Sequence, residues 1–548
     1  MKVKIKKIYK CDFLVVGTGI AGLIASERAL KKGKNVCLVT NKKLCSGASY
    51  FPLKGTLGIQ VTKNEEDYEK YYEDIVKMGN GMENPELIKL YISNIRDSLF
   101  LLNKIGFKPW LRQDSRPACF AKYSRDIYLI DNWKEASNRC KQKLKNSKKL
   151  NIVEDSTLIK IIIKNNRTIG AIFQQNKDFI FIKSEVIVLA TGGVASNYKN
   201  SLYPEGINGI GHIVALDAGA SAQNMEFIQF IPAFLKPKYN VLYGEHTAKY
   251  CLGMYDINKN LILPGINDKD YKEIWEERSS YAPFSVDFKS HIIDLKIPNE
   301  GVILKYSKEL YENREEFYTV YLNWLKNEMG IDLLEDETII THFAHSCNGG
   351  IKINENAQTE LAGLYAVGEV ASIIEGANRL GGNSLGGSLV FANRAIIDGL
   401  KYIQRNKKIR INLSEIELEF NKWLDKISIS NKTNILDKKI VVKKLKELTS
   451  ENLGIVRNRE KVETLLKELE TLKSDYSIKK NLNRGSLEVY LMIESIKMLA
   501  LSILNREESR GAHYREDFPN TSENIIKLKI KRENNQFLIN KIKINATI

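Results

Sequence analysis

The stretch CDFLVVGTGIAGLIAS, residues 11–26, opens on a short apolar run, turns at a glycine cluster and continues into a helical pattern. The helix pattern extends through LIASERALKKG and stops at Gly33, and NVCLVT at 35–40 is a second short apolar run. Strand, glycine turn, helix and strand within 40 residues mark the start of a doubly wound α/β domain. Gly17, Gly19 and Gly22 make the spacing GxGxxG, with Ile20 and Ala21 between the last two. The first glycine permits the tight turn, the second lets backbone approach a pyrophosphate, and the third lets helix and strand pack closely. The phosphates then meet unpaired N–H groups at the positive end of the helix. The second strand ends in Thr40-Asn41-Lys42, without the acid that usually holds an adenosine ribose. This argues against a plain NAD site and leaves a hydroxyl or an amide to serve the ribose.

Two more glycine-bearing strand ends point to a longer cofactor. SEVIVLATGG at 184–193 supplies Ala190, Thr191 and Gly192, and GLYAVGE at 363–369 supplies Gly368 and Glu369. Three such approaches suit a two-ended dinucleotide such as FAD. Glu369 is placed to accept hydrogen bonds from ribityl or ribose hydroxyls.

The chain has 548 residues, 43% of them apolar and 27% charged, which is too long for one compact core and too apolar for disorder. Its 83 Lys and Arg exceed 66 Asp and Glu by 17 charges. The surplus is scattered over every region, with no base-reading motif, so nucleic-acid binding is not indicated. Seven Cys, an odd number with no CxxC, read as free thiols of a cytoplasmic protein. The six His form no metal cluster, and no apolar run reaches 18 residues.

Farther along, 65–105 reads as helical, and two β-rich runs at 157–164 and 168–182 suggest an antiparallel hairpin inserted in the parallel domain. Residues 227–345 change character, with scattered Pro and a helical stretch near 306–328. From 406 the chain is nearly Gly-free and reads as Lys/Glu-rich helices, ending in a strand-like tail.

The segments GTGIAGLIAS, VIVLATGG, NGIGHIVALDAGASAQNMEFIQF, HSCNGGIKIN, EGANRLGGNSLGGSLVFANRA and NREESRGAHYREDFP occur in this order. Together they resemble the flavoprotein family of succinate dehydrogenase, fumarate reductase and L-aspartate oxidase. The resemblance implies a Rossmann-like FAD-binding domain in two parts, 1–228 and 346–405, with an α+β capping domain inserted at 229–345. A mainly helical domain would follow at 406–548. It implies that Asn383, Ser384 and Leu385 lie beside the isoalloxazine, that Arg379 grips a substrate carboxylate, and that His345 binds the same substrate. His342 offers that motif a second register. An arginine fork suits a planar carboxylate.

Four departures from the family pattern bear on function. Where the family has Gln-Phe-His-Pro-Thr, this chain has Gln229-Phe230-Ile231-Pro232-Ala233. Gly244-Glu245-His246-Thr247 offers Glu245 as the relay acid but lacks the glycine-rich stretch that should follow. The family's acid/base arginine falls at Val286 in YAPFSVDF, with Arg278 eight residues earlier as a substitute. Residues 1–211 also contain no His, so FAD should be non-covalent.

The expected activity is hydride exchange between FAD and a small carboxylate in a modified pocket. The alternatives are an L-aspartate oxidase or soluble fumarate reductase proper, and a flavin-bearing subunit with little catalysis of its own. The electron acceptor is not legible, and any Fe–S centre would come from a partner subunit.

Overall fold

A computed structural model describes residues 3–51, 53, 55–407, 409–427, 437–475 and 484–544. Its centre is a five-stranded parallel sheet in the order Leu364–Ala366, Val186–Leu189, Phe13–Val16, Val36–Val39 and Leu150–Val153. Strands covered on both faces read as unbroken apolar runs, which is why FLVV, VCLV and VIVL stand out in the sequence. Phe13, Leu14 and Val15 are wholly buried, and each such side chain contributes about 1.5–3 kcal/mol. Gly17 closes the first strand at φ +115°, where a Cβ would lie 2.1 Å from Ala190 O. At Gly22 a Cβ would lie 2.0 Å from Gly17 O, so the helix Ile20–Lys31 packs against the turn with no room for a side chain.

Beside this sheet Ser156–Lys164, Arg167–Gln175 and Asp178–Lys183 form an antiparallel meander. The N-terminal strand Ile5–Lys10 adds to it in parallel. The region read as a hairpin is thus a separate four-stranded sheet.

Residues 228–347 hold a second layer: a six-stranded antiparallel sheet ordered Val241–Leu242, Ile228–Lys236, Ile339–Cys347, Val302–Tyr306, Cys251–Tyr255 and Leu261–Pro264. It has its own core, in which Phe234, Trp275, Leu304 and Tyr318 meet. The helical stretch expected at 306–328 is shorter, with an α-helix at Glu316–Trp324 followed by a π turn.

Four helices follow at Leu413–Ile427, Lys438–Asn452, Arg459–Asp475 and Arg484–Asn505. The tail then makes a ribbon, Ile525–Glu533 against Gln536–Ile544, which extends a mixed sheet through Ala222–Gln223. Buried ion pairs fasten the C-terminal part to the body, Arg506 to Glu226 at 2.6 Å and Arg532 to Asp217, and Arg532 also pairs with Glu494 within the C-terminal part. No helix among the described residues is long and apolar enough to cross a membrane.

Candidate functional site

A cavity of about 390 Å³ runs from the C-terminal ends of the central strands to the inserted sheet. This is where an open parallel sheet binds ligands, because the strand order reverses there and leaves a crevice. Gly17, Gly19, Ile20, Ala21, Thr40, Asn41, Ala190, Thr191, Gly192, Gly368, Glu369, Ser384 and Leu385 all line it. Two expected residues do not. Gly22 serves helix packing, and Asn383 is 1% exposed with its Oδ1 accepting from Tyr71 OH at 2.7 Å.

Three helices begin at this cavity: Ile20–Lys31, Ile210–Ala218 and Asn383–Arg405, with N-caps Gly19, Gly209 and Gly382. None has a side-chain cap or an acid in its first turn. Helix starts carry unpaired N–H groups and positive partial charge. Three of them facing one cavity suit a ligand with a pyrophosphate and electron-rich carbonyls. Gly382 sits at φ +86°, the left-handed turn that brings its helix start to the wall.

Polar atoms along the wall also await a partner. Asn208 Oδ1, in a residue 6% exposed, and Thr191 Oγ1 have no hydrogen-bond partner among the described residues. Glu369 is held from two sides, accepting from Tyr203 OH at 2.5 Å and from Cys347 N–H at 2.9 Å. Its carboxylate also raises the Tyr203 hydroxyl pKa, second to burial. Asn41 Nδ2 donates to Gly206 O at 2.9 Å, and Thr40 and Thr18 hydroxyls meet at 3.4 Å. The donor set fits a dinucleotide whose two ends are neutral and whose middle is anionic.

At the other end of the cavity stand Arg379, His345, Ile231, Leu242, Ala282, Pro283 and Cys119. Arg379 donates from Nε and one terminal nitrogen to Gln229 Oε1, at 3.2 and 2.9 Å. Gln229 is wholly buried and in turn donates to Asn378 Oδ1 at 2.6 Å. The other terminal nitrogen of Arg379 has no protein partner among the described residues. Glu375 lies nearby, its pKa raised by burial against the opposing pull of Arg379.

The structure separates the two histidine registers. His345 lines the cavity, edge-on to Tyr203 at 5.7 Å, whereas His342 Nε2 meets Asp294 Oδ1 at 3.0 Å outside it.

Arg278 does not reach the cavity, which corrects its reading as a substitute acid. Its guanidinium is closed by Asp294 at 2.9 and 3.0 Å and by the carbonyls of Tyr281 and Ala282. Asp294 is a strong enough partner that the Arg278 pKa is raised despite burial. Val286 packs away as well, its N–H donating to Gly511 O at 2.9 Å. Glu245 lines a second, much smaller cavity of about 20 Å³ beside Arg278 and Asp294. Burial raises its pKa, and Arg116 and Arg278 pull it back.

Gln229, Asn208, Tyr203, Leu242 and Cys119 escaped sequence reasoning. Only Gln229 carried a signal, its place two residues before Ile231 in the Gln-Phe-x-Pro motif.

Likeness to known proteins agrees with this geometry. The FAD binding domain family matches residues 12–249 and 294–385, and the fumarate reductase flavoprotein C-terminal family matches 442–545. The chain belongs to the succinate dehydrogenase, fumarate reductase and L-aspartate oxidase flavoprotein family. Among its relatives, an uncharacterized FAD-dependent oxidoreductase of Methanocaldococcus jannaschii is 28% identical over 94% of this chain and 95% of that protein. An L-aspartate oxidase of Clostridium perfringens is 27% identical over 78% and 93%. One chain of the fumarate reductase (CoM/CoB) of Methanothermobacter marburgensis is 26% identical over 94% and 96%. A quinol-fumarate reductase structure superimposes with a TM-score of 0.79 at 20% identity, covering 99% of this chain and 100% of that one. This flavoprotein is an FAD-dependent oxidoreductase. FAD would supply the redox chemistry, and the chain's own groups would hold it at the cavity wall.

Proposed function

We propose that this flavoprotein exchanges a hydride between non-covalently held FAD and a carbon of a small carboxylate. Arg379 carries the reading. It stands on the cavity wall, fixed in direction by Gln229, with one terminal nitrogen left to bind a carboxylate oxygen. Such a charge-assisted bond orients the substrate across the flavin. His345 is a second donor or acceptor for the same carboxylate.

Ile231 and Leu242 line the far wall, where a dicarboxylate would need a polar group. The favoured substrate therefore bears one carboxylate and a short apolar remainder. Burying an unpaired second carboxylate against Ile231 costs several kcal/mol. The stretch Ser46–Gly47–Ala48–Ser49 on the wall offers no histidine to tether the cofactor. We infer that the flavin leaves with acid or denaturant; yellow colour retained on denatured polypeptide would contradict this.

The test of function is anaerobic. The purified yellow protein is mixed with a panel of saturated mono- and dicarboxylates, amino acids and hydroxy acids, and the dithionite-reduced protein with unsaturated carboxylates. A monocarboxylate should bleach the flavin or restore its colour. Preferred reaction with aspartate or fumarate would make it an L-aspartate oxidase or fumarate reductase proper. Silence across the panel would leave a flavin-bearing subunit that passes electrons to or from a partner, an Fe–S protein being the expected kind.

A further inference from the structure

The expected proton donor of the site is missing, since Val286 and Arg278 both lie outside the cavity. Cys119 stands in its wall instead, held from two sides. Its carbonyl accepts from Gly381 N–H at 3.1 Å, and its Sγ accepts from Ala282 N–H at 2.9 Å. A Cβ added to Gly381 would come within 3.2 Å of Cys119 Cβ, so Cys119 packs against the Arg379-to-Gly382 turn. That turn joins the carboxylate anchor to the helix start facing the cofactor. Because the sulfur already accepts a hydrogen bond, and no acceptor for its S–H occurs among the described residues, that proton is available to a molecule in the cavity.

We propose that Cys119 is the proton donor of this site, serving reduction of an α,β-unsaturated carboxylate. The proposal rests on the reading of the cavity as a hydride-transfer site for a carboxylate. As one carbon of the C=C bond takes a hydride from the reduced cofactor, its neighbour takes the S–H proton of Cys119. One π bond is lost and two C–H bonds form. The thiolate left behind regains its proton from solvent.

The electrostatics favour this step. Burial, and then the negative charge of Glu245, push the Cys119 thiol up to about 12. At neutral pH the thiol therefore holds the proton that this step requires.

The test compares wild type, Cys119→Ala and Cys119→Ser as holoproteins, reduced anaerobically with dithionite and mixed with 2-butenoate and its short homologues in a stopped-flow cell. Both variants should retain FAD and bind the carboxylate with unchanged Kd, read from the flavin absorbance shift. Reoxidation should slow by about 10²-fold or more in Cys119→Ala, with partial recovery in Cys119→Ser. The wild-type solvent deuterium isotope effect should change in both. Reoxidation of Cys119→Ala at the wild-type rate, with the same pH profile, overturns the proposal. Loss of FAD or of carboxylate binding in both variants overturns it too, making Cys119 a packing residue. If no unsaturated carboxylate reoxidises the wild type, the reading of the cavity fails first and the proposal falls with it.

Discussion

The two ends of the cavity are built by different rules. The flavin end is backbone: three helix starts, strand-end glycines and only a few side-chain groups, all on the central sheet and its helices. The end proposed for the substrate is side chains, brought from the Arg379 turn, the 113–123 loop and the inserted sheet. Backbone recognition needs glycines at fixed spacing, and so it leaves a signature within a few residues. A pocket assembled from three distant segments leaves none. Chemistry shared across a family is therefore read at the first end, and chemistry particular to this chain at the second.

The largest expected effect breaks the flavin end. Gly17→Ala forces a Cβ against Ala190 O at a left-handed φ, and strain and overpacking together cost about 4 kcal/mol. The ratio of flavin to protein absorbance should collapse, with a lower Tm. Retained flavin would show that the turn is not closely packed.

Arg379→Ala tests the other end by itself. FAD should stay bound while carboxylate affinity falls by about 10²–10³-fold, or about 3–4 kcal/mol. Loss of the yellow colour would make Arg379 part of the cofactor site.

A pH scan separates the regions through two buried histidines. His212, under the flavin-end helix start, is wholly buried with its ring held down to about 4 by burial. His246, in the inserted sheet's region, is held well below its usual value by burial and by Arg116. The unfolded chain binds these protons below about 6.5 and the folded chain does not. Stability present above that pH is therefore lost as pH falls from about 6.5 towards 4, by about 3 kcal/mol for His212. His212→Leu should flatten that slope for the flavin-bound body, and His246→Phe should do so for the inserted sheet. An unchanged slope in both would place the acid sensitivity elsewhere.

The smallest effect sharpens the contrast. Ile231→His restores a polar group on the apolar wall, and should improve dicarboxylate binding by about 1 kcal/mol while weakening monocarboxylates. Equal responses would mean that the wall does not sort substrates.

The parallel strands were legible because burial on both faces writes them as apolar runs, and the first glycine turn because its spacing is a steric requirement. The inserted sheet was not. Its strands Cys251–Tyr255, Leu261–Pro264 and Val302–Tyr306 are short, interrupted by Gly and Pro, and paired across gaps of up to about fifty residues. Arg278 shows the limit at the site. A conspicuous arginine near the expected position invites a catalytic role, yet its partner Asp294 lies 16 residues away on another helix. Cys119 shows the converse: nothing in QDSRPACFAKYS marks it, and only the fold brings it over Gly381.

The proposed function pins a carboxylate at Arg379, with an apolar remainder against Ile231 and Leu242. It is tested most directly by anaerobic titration of the oxidised holoprotein with 2-butenoate and with fumarate, following the flavin absorbance shift in wild type and Arg379→Ala. The predicted result is tenfold or tighter binding of 2-butenoate, abolished in the variant while the flavin stays bound. Tighter binding of fumarate, or an Arg379→Ala protein that binds 2-butenoate as well as wild type, would contradict it.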